Sequence, residues 1–332
     1  MTKTQTTALR GLAILLIILH NYTHWMPGCV PENEYDWNFA RMEQFWGYIQ
    51  NGGPHVVLNF FSHFGHYGVA LFLFLSGYGL VKKYENPSAE KVGIFPFLWQ
   101  HAVKLWAIML PAVVIFFISV KCLGGRNYAW DYVVELLTFT ANLDARLPLL
   151  QGPWWWFSLM MQFYILYRLI IYNRHDAFLW LLTAGFVVWT LLTTGKDAYW
   201  LHHNAPCSIL PFALGIWCAR HDGEKILMSP ILAILSGVVV IAGSFNVWIW
   251  HFAAPFAVIV MLQTVKYATS VTLEKVGVIS AWIFALHPIV RYHTIEISRQ
   301  GNDYGGLAIY LIITILAAII MTVAQKKLFS HD

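Results

Sequence analysis

Charge is what this chain has least of: 11 % of its 332 residues are Asp, Glu, Lys or Arg, against 58 % hydrophobic. So little polar material cannot clothe a soluble globule of this length, which leaves a polytopic membrane protein. Cysteine is also scarce. Cys29, Cys122, Cys207 and Cys218 form no Cys-x-x-Cys pair, so no zinc or redox motif is written here. No Pro/Ser-rich linker, low-complexity tract or internal repeat interrupts the chain, so residues 1–332 read as one integral-membrane domain. No Gly-x-Ser-x-Gly elbow surrounds Ser76, which sits in Leu-Ser-Gly-Tyr, and no Gly-rich Lys-Ser/Thr phosphate loop occurs. Those absences argue against a serine hydrolase and an ATP-driven pump. A small-residue cleavage pattern is missing after the first apolar run, which therefore reads as a retained span.

Aromatic residues, by contrast, are plentiful. Sixteen Trp and sixteen Tyr suit the two membrane interfaces, where amphipathic rings settle. At about 20 apolar residues per span, ten candidate segments emerge, near 8–26, 56–82, 96–119, 153–172, 178–194, 206–220, 230–247, 248–265, 278–293 and 305–325. The expected fold is all-α, with about ten transmembrane helices. An even count puts both termini on one side, and the loop charges make that side the cytoplasm. Fourteen of the 21 basic residues then face inward, leaving the inner half at +7 and the outer half at −3. The overall +4 therefore reports topology and gives no indication of nucleic acid as a partner. Two outer segments, 27–55 with Glu32, Glu34 and Asp36, and 120–152 with Asp131, Glu135, Asp144 and Arg146, are long enough to form a cap or the wall of a cleft. Within the first, Phe39 to Ile49 mixes apolar and polar residues at helical spacing, as an interfacial helix does. Cys29 and Cys122 share the outer side, so a disulfide is open to them, although free or packed cysteines are the expectation.

Ionisable residues inside a span are functional candidates by default, because burying one in hydrocarbon costs roughly 2.5 kcal/mol or more. The first span carries Arg10 and His20. Arg10 has a plain alternative role, snorkelling to the cytoplasmic interface to fix the depth of the helix. Fourteen histidines are many for one membrane protein, and His20/His24 and His63/His66 fall at helical spacings that share a face. Such pairs can ligate zinc or iron. A membrane di-iron enzyme also needs later His-x-x-His-His clusters, whereas His202-His203 stands alone, so no metal is expected. For His66 or His101 taken singly, an interhelical hydrogen bond is the ordinary role.

Four stretches, in order, carry a family resemblance. The run from Leu9 to His20 (LRGLAILLIILH) resembles the first-helix signature of the integral-membrane acyltransferase 3 family. Gly65 to Tyr78 (GHYGVALFLFLSGY) resembles its second helix, Phe163 to Tyr167 (FYILY) after Trp154 to Phe157 its fourth, and Gly277 to His287 (GVISAWIFALH) its late Gly-x-x-Ser segment. The resemblance implies a multi-pass enzyme of the bacterial inner membrane. It would move acyl groups from coenzyme A thioesters, used as co-substrates without a permanently bound cofactor, to carbohydrate or glycolipid acceptors. Departures are present too. One residue fewer separates Arg10 from His20 than in the family motif, so at 100° per residue the two miss a common face by roughly 80°, while His24 lies roughly 40° from Arg10. His101 and Lys104 stand where arginines are usual, and Met160 and Met161 replace acidic residues.

The same chemistry follows from the residue types. Acyl transfer to a hydroxyl needs a base that titrates near neutrality, and histidine is the nearest. His20 is the favoured base and His24 the second. Asn21, Tyr22 and Ser76 are candidate hydrogen-bond donors to the developing oxyanion. Arg10, Lys82, Lys83, His101 and Lys104 are candidates to hold the coenzyme A phosphates, and His66 and His287 complete the candidate set. A secondary transporter with Arg, His and Lys in its substrate or proton path is the rival reading.

Overall fold

The first helix, α1 (Lys3–Thr23), is started by a capping box. Thr2 Oγ1 accepts from the Gln5 amide at 3.1 Å and the Gln5 side chain accepts from the Thr2 amide at 2.9 Å. α1 is apolar on nearly every face, so it can be stable only where every face is covered. Accordingly it lies at the centre, with α3 (Val56–Phe64), α4 (Tyr67–Tyr84), α14 (Val271–Val278) and α15 (Ser280–Arg299) packed around it. The computed structural model describes residues 1–31, 35–52, 55–88, 90–125, 128–147, 149–267 and 270–329. Glu32, Glu34 and Arg126, assigned above to the outer loops, lie outside the described residues. Among those described, helices alternate with loops and no strand occurs. The remaining helices are α2 (Phe39–Gln50), α5 (Ile94–Leu123), α6 (Trp130–Leu137), α7 (Trp155–Leu166), α8 (Asp176–Leu192), α9 (Gly195–Leu201), α10 (Ala205–Arg220), α11 (Glu224–Leu227), α12 (Pro230–Phe245), α13 (Val247–Tyr267) and α16 (Asp303–Phe329).

Each of the ten apolar segments expected from sequence falls on a helix or a broken helix. By length and composition, however, three helices qualify as membrane spans, α5, α13 and α16, or up to five if the bent pairs α3/α4 and α14/α15 each count as one. α8 and α12 are apolar but shorter. The difference from ten has a physical source: breaks at Gly65-His66 and at Ile279 divide two segments with bends of 43° and 72°, and other segments are short or carry polar residues. The expected polar break at Ser244-Phe245-Asn246 is present, with Asn246 capping α12 before α13 folds back along it.

Outward faces of the peripheral helices are apolar. Val114 and Ile118 on α5, Leu181 and Leu192 on α8, Ile234 and Val238 on α12, and Ile312 and Ile320 on α16 are all exposed. A belt of that size is tolerable in lipid and not in water. The protein is a membrane protein.

Without a hydrophobic force between helices in lipid, close backbone approach through small residues holds them together. A Cβ on Gly11 would stand 2.0 Å from the Leu273 carbonyl oxygen, and one on Gly277 1.9 Å from that of Thr7, so α1 and α14 cross backbone to backbone. Gly77 and Gly215 do the same for α4 and α10, at 2.3 and 2.1 Å. Near one end of the bundle, Arg220 joins Glu85 (2.8 and 2.9 Å), Asp176 (2.6 Å) and the Ile171 carbonyl (2.9 Å), tying α4, α8 and α10 to the π-helical turn that ends α7. All four cysteines are free; Cys29 and Cys218 are buried and Cys122 is exposed. Helix α2 begins at Phe39, as expected, and buries Met42 and Phe45 against α3, with the Phe45 ring 4.4 Å from that of His63.

Candidate functional site

His20 is placed by a helix end. α3 stops at Phe64, so its last carbonyls lack helical partners. The Nδ1 of His20 lies 2.8 Å from one of them, the Ser62 oxygen. A carbonyl can only accept, so Nδ1 carries a proton, and in the neutral ring Nε2 then keeps the lone pair. Ser62 is itself held, donating through its hydroxyl to the Val30 carbonyl at 2.5 Å. His24 is oriented differently: its Nδ1 reaches the His20 carbonyl one turn back on the same helix, at 2.8 Å. The two imidazoles stand 4.8 Å apart, and the His66 ring is 5.6 Å from His20. α1 runs as a regular α-helix through this region, with no bulge to bring Arg10 and His20 onto one face.

His20 and His24 line one cavity of about 340 Å³, together with Asn21, Trp25, Tyr35, Arg41, Tyr199, His203 and Arg291. Arg291 reaches it from α15. One of its amino groups donates to the Asn21 backbone oxygen (3.1 Å) and side-chain oxygen (3.2 Å), and its guanidinium lies 5.6 Å from the Trp25 ring. Tyr35 stacks on His203 at 3.8 Å. Asn142 braces this wall: its side-chain amide donates to the carbonyls of Trp155 (2.9 Å) and His203 (2.5 Å), while its backbone carbonyl accepts from Trp200 and Asn204.

A second cavity, of about 500 Å³, opens at the other end of α1, lined by Lys3, Thr6, Arg10, Tyr78, Lys82, Asp222 and Glu224 among others. Lys82 pairs with Asp222 at 3.0 Å, and Tyr78 donates to Glu224 at 2.5 Å. Arg10 is exposed to this space and forms no ion pair among the described residues. The two cavities share no lining residue.

Of the sequence candidates, His20, His24 and Asn21 therefore converge, and Arg10 and Lys82 converge separately. Lys83 stacks over Tyr84 (4.8 Å), and His101 is buried between Phe97 and Tyr164 (4.2 Å each) with Nδ1 on the Phe97 carbonyl. Neither lines the Arg10 cavity, nor does the exposed Lys104. Ser76 turns its hydroxyl back to the Phe72 carbonyl (2.8 Å), and Tyr22 bolts α1 to α15 through Ser298 (2.9 Å) while stacking on Tyr310. Neither hydroxyl joins His20. His66 lines a smaller cavity, of about 100 Å³, with Trp155, His202, Trp250 and His251. His287 is fully buried one turn from Arg291, with Nδ1 3.2 Å from the Ile283 carbonyl and no partner for Nε2 among the described residues. Among those residues no group of three or more His, Cys, Asp or Glu stands close enough to hold a metal ion. Sequence reasoning missed Arg291, Tyr35 and His203. Arg291 had a signal, an ionisable residue inside an apolar segment four positions after His287; Tyr35 and His203 arrive through tertiary folding alone.

Residues 6–325 match the family model described as Acyltransferase domain. No curated protein and no solved structure matches the chain.

Proposed function

The chain belongs to the acyltransferase 3 family, and from that premise we propose that it moves an acyl group, acetyl in the simplest case, from a cytoplasmic acyl-CoA to a hydroxyl of an envelope or exported carbohydrate. His20 is the general base. The acceptor oxygen attacks the thioester carbonyl carbon as His20 Nε2 takes its proton. The tetrahedral intermediate then collapses, the C–S bond breaks, and the proton passes from His20 to the departing thiolate. No covalent enzyme intermediate is required.

The observation that carries this reading is the bond from His20 Nδ1 to the Ser62 carbonyl, which fixes the tautomer a base needs and comes from a separate helix. His24 is held only by its own helix. Arg291 lines the same cavity and is a fixed positive charge available to a developing oxyanion. Arg10 and Lys82 at the far cavity suit the phosphates of the donor, because a guanidinium can grip phosphate oxygens in pairs. Ten membrane crossings, cytoplasmic termini and an inner-membrane location accompany the proposal, with the Arg10 end inside and the His20 end outside.

The test is turnover of labelled acetyl-CoA by purified protein in liposomes supplied with envelope glycans. Label should leave the donor for the glycan in wild type and stay on the donor in His20→Ala. Equal transfer by the two proteins contradicts His20 as base. A labelled substrate that crosses the bilayer unchanged supports the transporter instead.

A further inference from the structure

We propose that the His20 cavity selects an acceptor bearing a carboxylate or phosphate group, and that Arg291 is the residue that selects it. This rests on the reading that the acceptor enters by that cavity. No Asp or Glu among the described residues lines it. Its two arginines differ sharply: Arg41 is neutralised by Asp36 through two hydrogen bonds of 2.9 and 3.2 Å, whereas Arg291 makes no ion pair among the described residues. The partners of Arg291 are a neutral amide, a backbone carbonyl and an indole face. Arg299 sits over the same indole at 5.8 Å but is paired with Glu296 at 2.7 Å, so of these three arginines only Arg291 lacks an acidic partner among the described residues.

A guanidinium within a protein is normally paired, since removing the charge from water without a counter-charge is costly. Here one amino group is anchored, and Nε and the second amino group have no hydrogen-bond partner among the described residues. Those two N–H groups form the fork that matches a carboxylate or phosphate edge. Trp25, Tyr35 and Tyr199 supply aromatic walls around the fork, and about 340 Å³ admits a sugar ring. The arrangement suits an acidic sugar with its anionic group on Arg291 and a hydroxyl toward His20.

The experiment is equilibrium binding of glucuronic acid, its 6-amide and glucose 6-phosphate to the purified full chain in detergent micelles without acyl donor, so it reads out independently of turnover. Wild type should bind both anions about tenfold or more tighter than the amide, the scale of one charge-assisted pair. The preference should vanish in Arg291→Gln and return in part in Arg291→Lys, with Lys121→Gln, an exposed position on α5 outside the cavities described, showing the wild-type preference and so controlling for net charge. Equal binding of acid and amide by wild type, no binding of either anion, or a preference that survives Arg291→Gln overturns the proposal. If Arg291 serves only the oxyanion, Arg291→Gln lowers turnover with every acceptor and leaves these affinities unchanged, which also overturns it. Failure of glycan acylation together with an intact anion preference would sink the acyltransfer chemistry and leave the anion site standing.

Discussion

Arg10 and His20 stand on one helix about 15 Å apart at 1.5 Å per residue, yet their surroundings have little in common. The Arg10 cavity is the larger, and its carboxylates are partnered: Asp222 by the Lys82 ammonium, Glu224 by the Tyr78 hydroxyl. The His20 cavity is walled by aromatic rings, imidazoles and one unpaired guanidinium, with no described carboxylate. The contrast shows how a single apolar helix serves two tasks. Its open end can exchange a charged ligand with water at small desolvation cost, whereas its enclosed end holds an oriented imidazole and a fixed cation where electrostatic effects on a reaction are strongest.

The sharpest way to break that contrast is at the imidazoles. His20→Ala should lower turnover by about 10²–10⁴, the usual worth of a positioned general base, while His24→Ala should keep it within about tenfold, since its ring is tied only to its own helix. A larger loss in His24→Ala than in His20→Ala, read from single-turnover rates, would reverse the assignment. Next comes the backbone crossing that sets the depth of α1. Gly11→Val should destabilise the fold by about 1–3 kcal/mol or more, as overpacking does, because the new Cβ meets the Leu273 oxygen; thermal unfolding in detergent would show it. Unchanged unfolding would mean that the α1 and α14 backbones do not touch. Within the Arg10 cavity, Lys82→Ala should change donor affinity less than Arg10→Ala, since Asp222 already neutralises Lys82; titration of acetyl-CoA against the two variants decides it.

The smallest effect is expected outside the lining of both cavities, where Asp131, Glu135 and Asp144 gather around Arg146. Hydrogen bonds from Arg146 hold the Asp144 carboxyl below its ordinary range. Its contribution is therefore present above the usual carboxylate pKa and is lost as pH falls through the depressed value. Arg146→Ala should weaken the protein slightly near neutral pH, with the difference from wild type fading in acid. A pH series of melting temperatures that runs parallel for the two proteins would count against this. The three acids named in the second outer segment thus converge on Arg146, which offsets part of their charge.

How far these regions were legible in the sequence follows from the range of the forces involved. Apolar periodicity is local, so the apolar helices were legible, α2 and α10 to within a residue, whereas the start of α1, the end of α15 and short helices such as α9 and α11 were not. The glycines of the family motifs were visible as letters, but their reason, backbone contacts between helices hundreds of residues apart in the case of Gly11 and Gly277, exists only in the folded bundle. His20 was legible because a histidine inside an apolar span is conspicuous. What separates it from His24 is a carbonyl freed by the break between α3 and α4, and no spacing rule foretells where an orphan carbonyl will point. The basic set expected to act together divides for a similar reason: His101 finds its partners among Phe97 and Tyr164, while Arg10 faces open space. Arg291 was legible by the rule that picked out His20, though its place opposite Asn21 was not.

The division of labour between the two ends of α1 is tested most directly by equilibrium binding of acetyl-CoA to wild type, Arg10→Ala and His20→Ala in the same liposomes. His20→Ala should bind the donor as wild type does while failing to turn it over, and Arg10→Ala should bind it about tenfold or more weakly, the scale of a lost guanidinium–phosphate contact. Donor affinity that falls in His20→Ala and holds in Arg10→Ala would contradict the account.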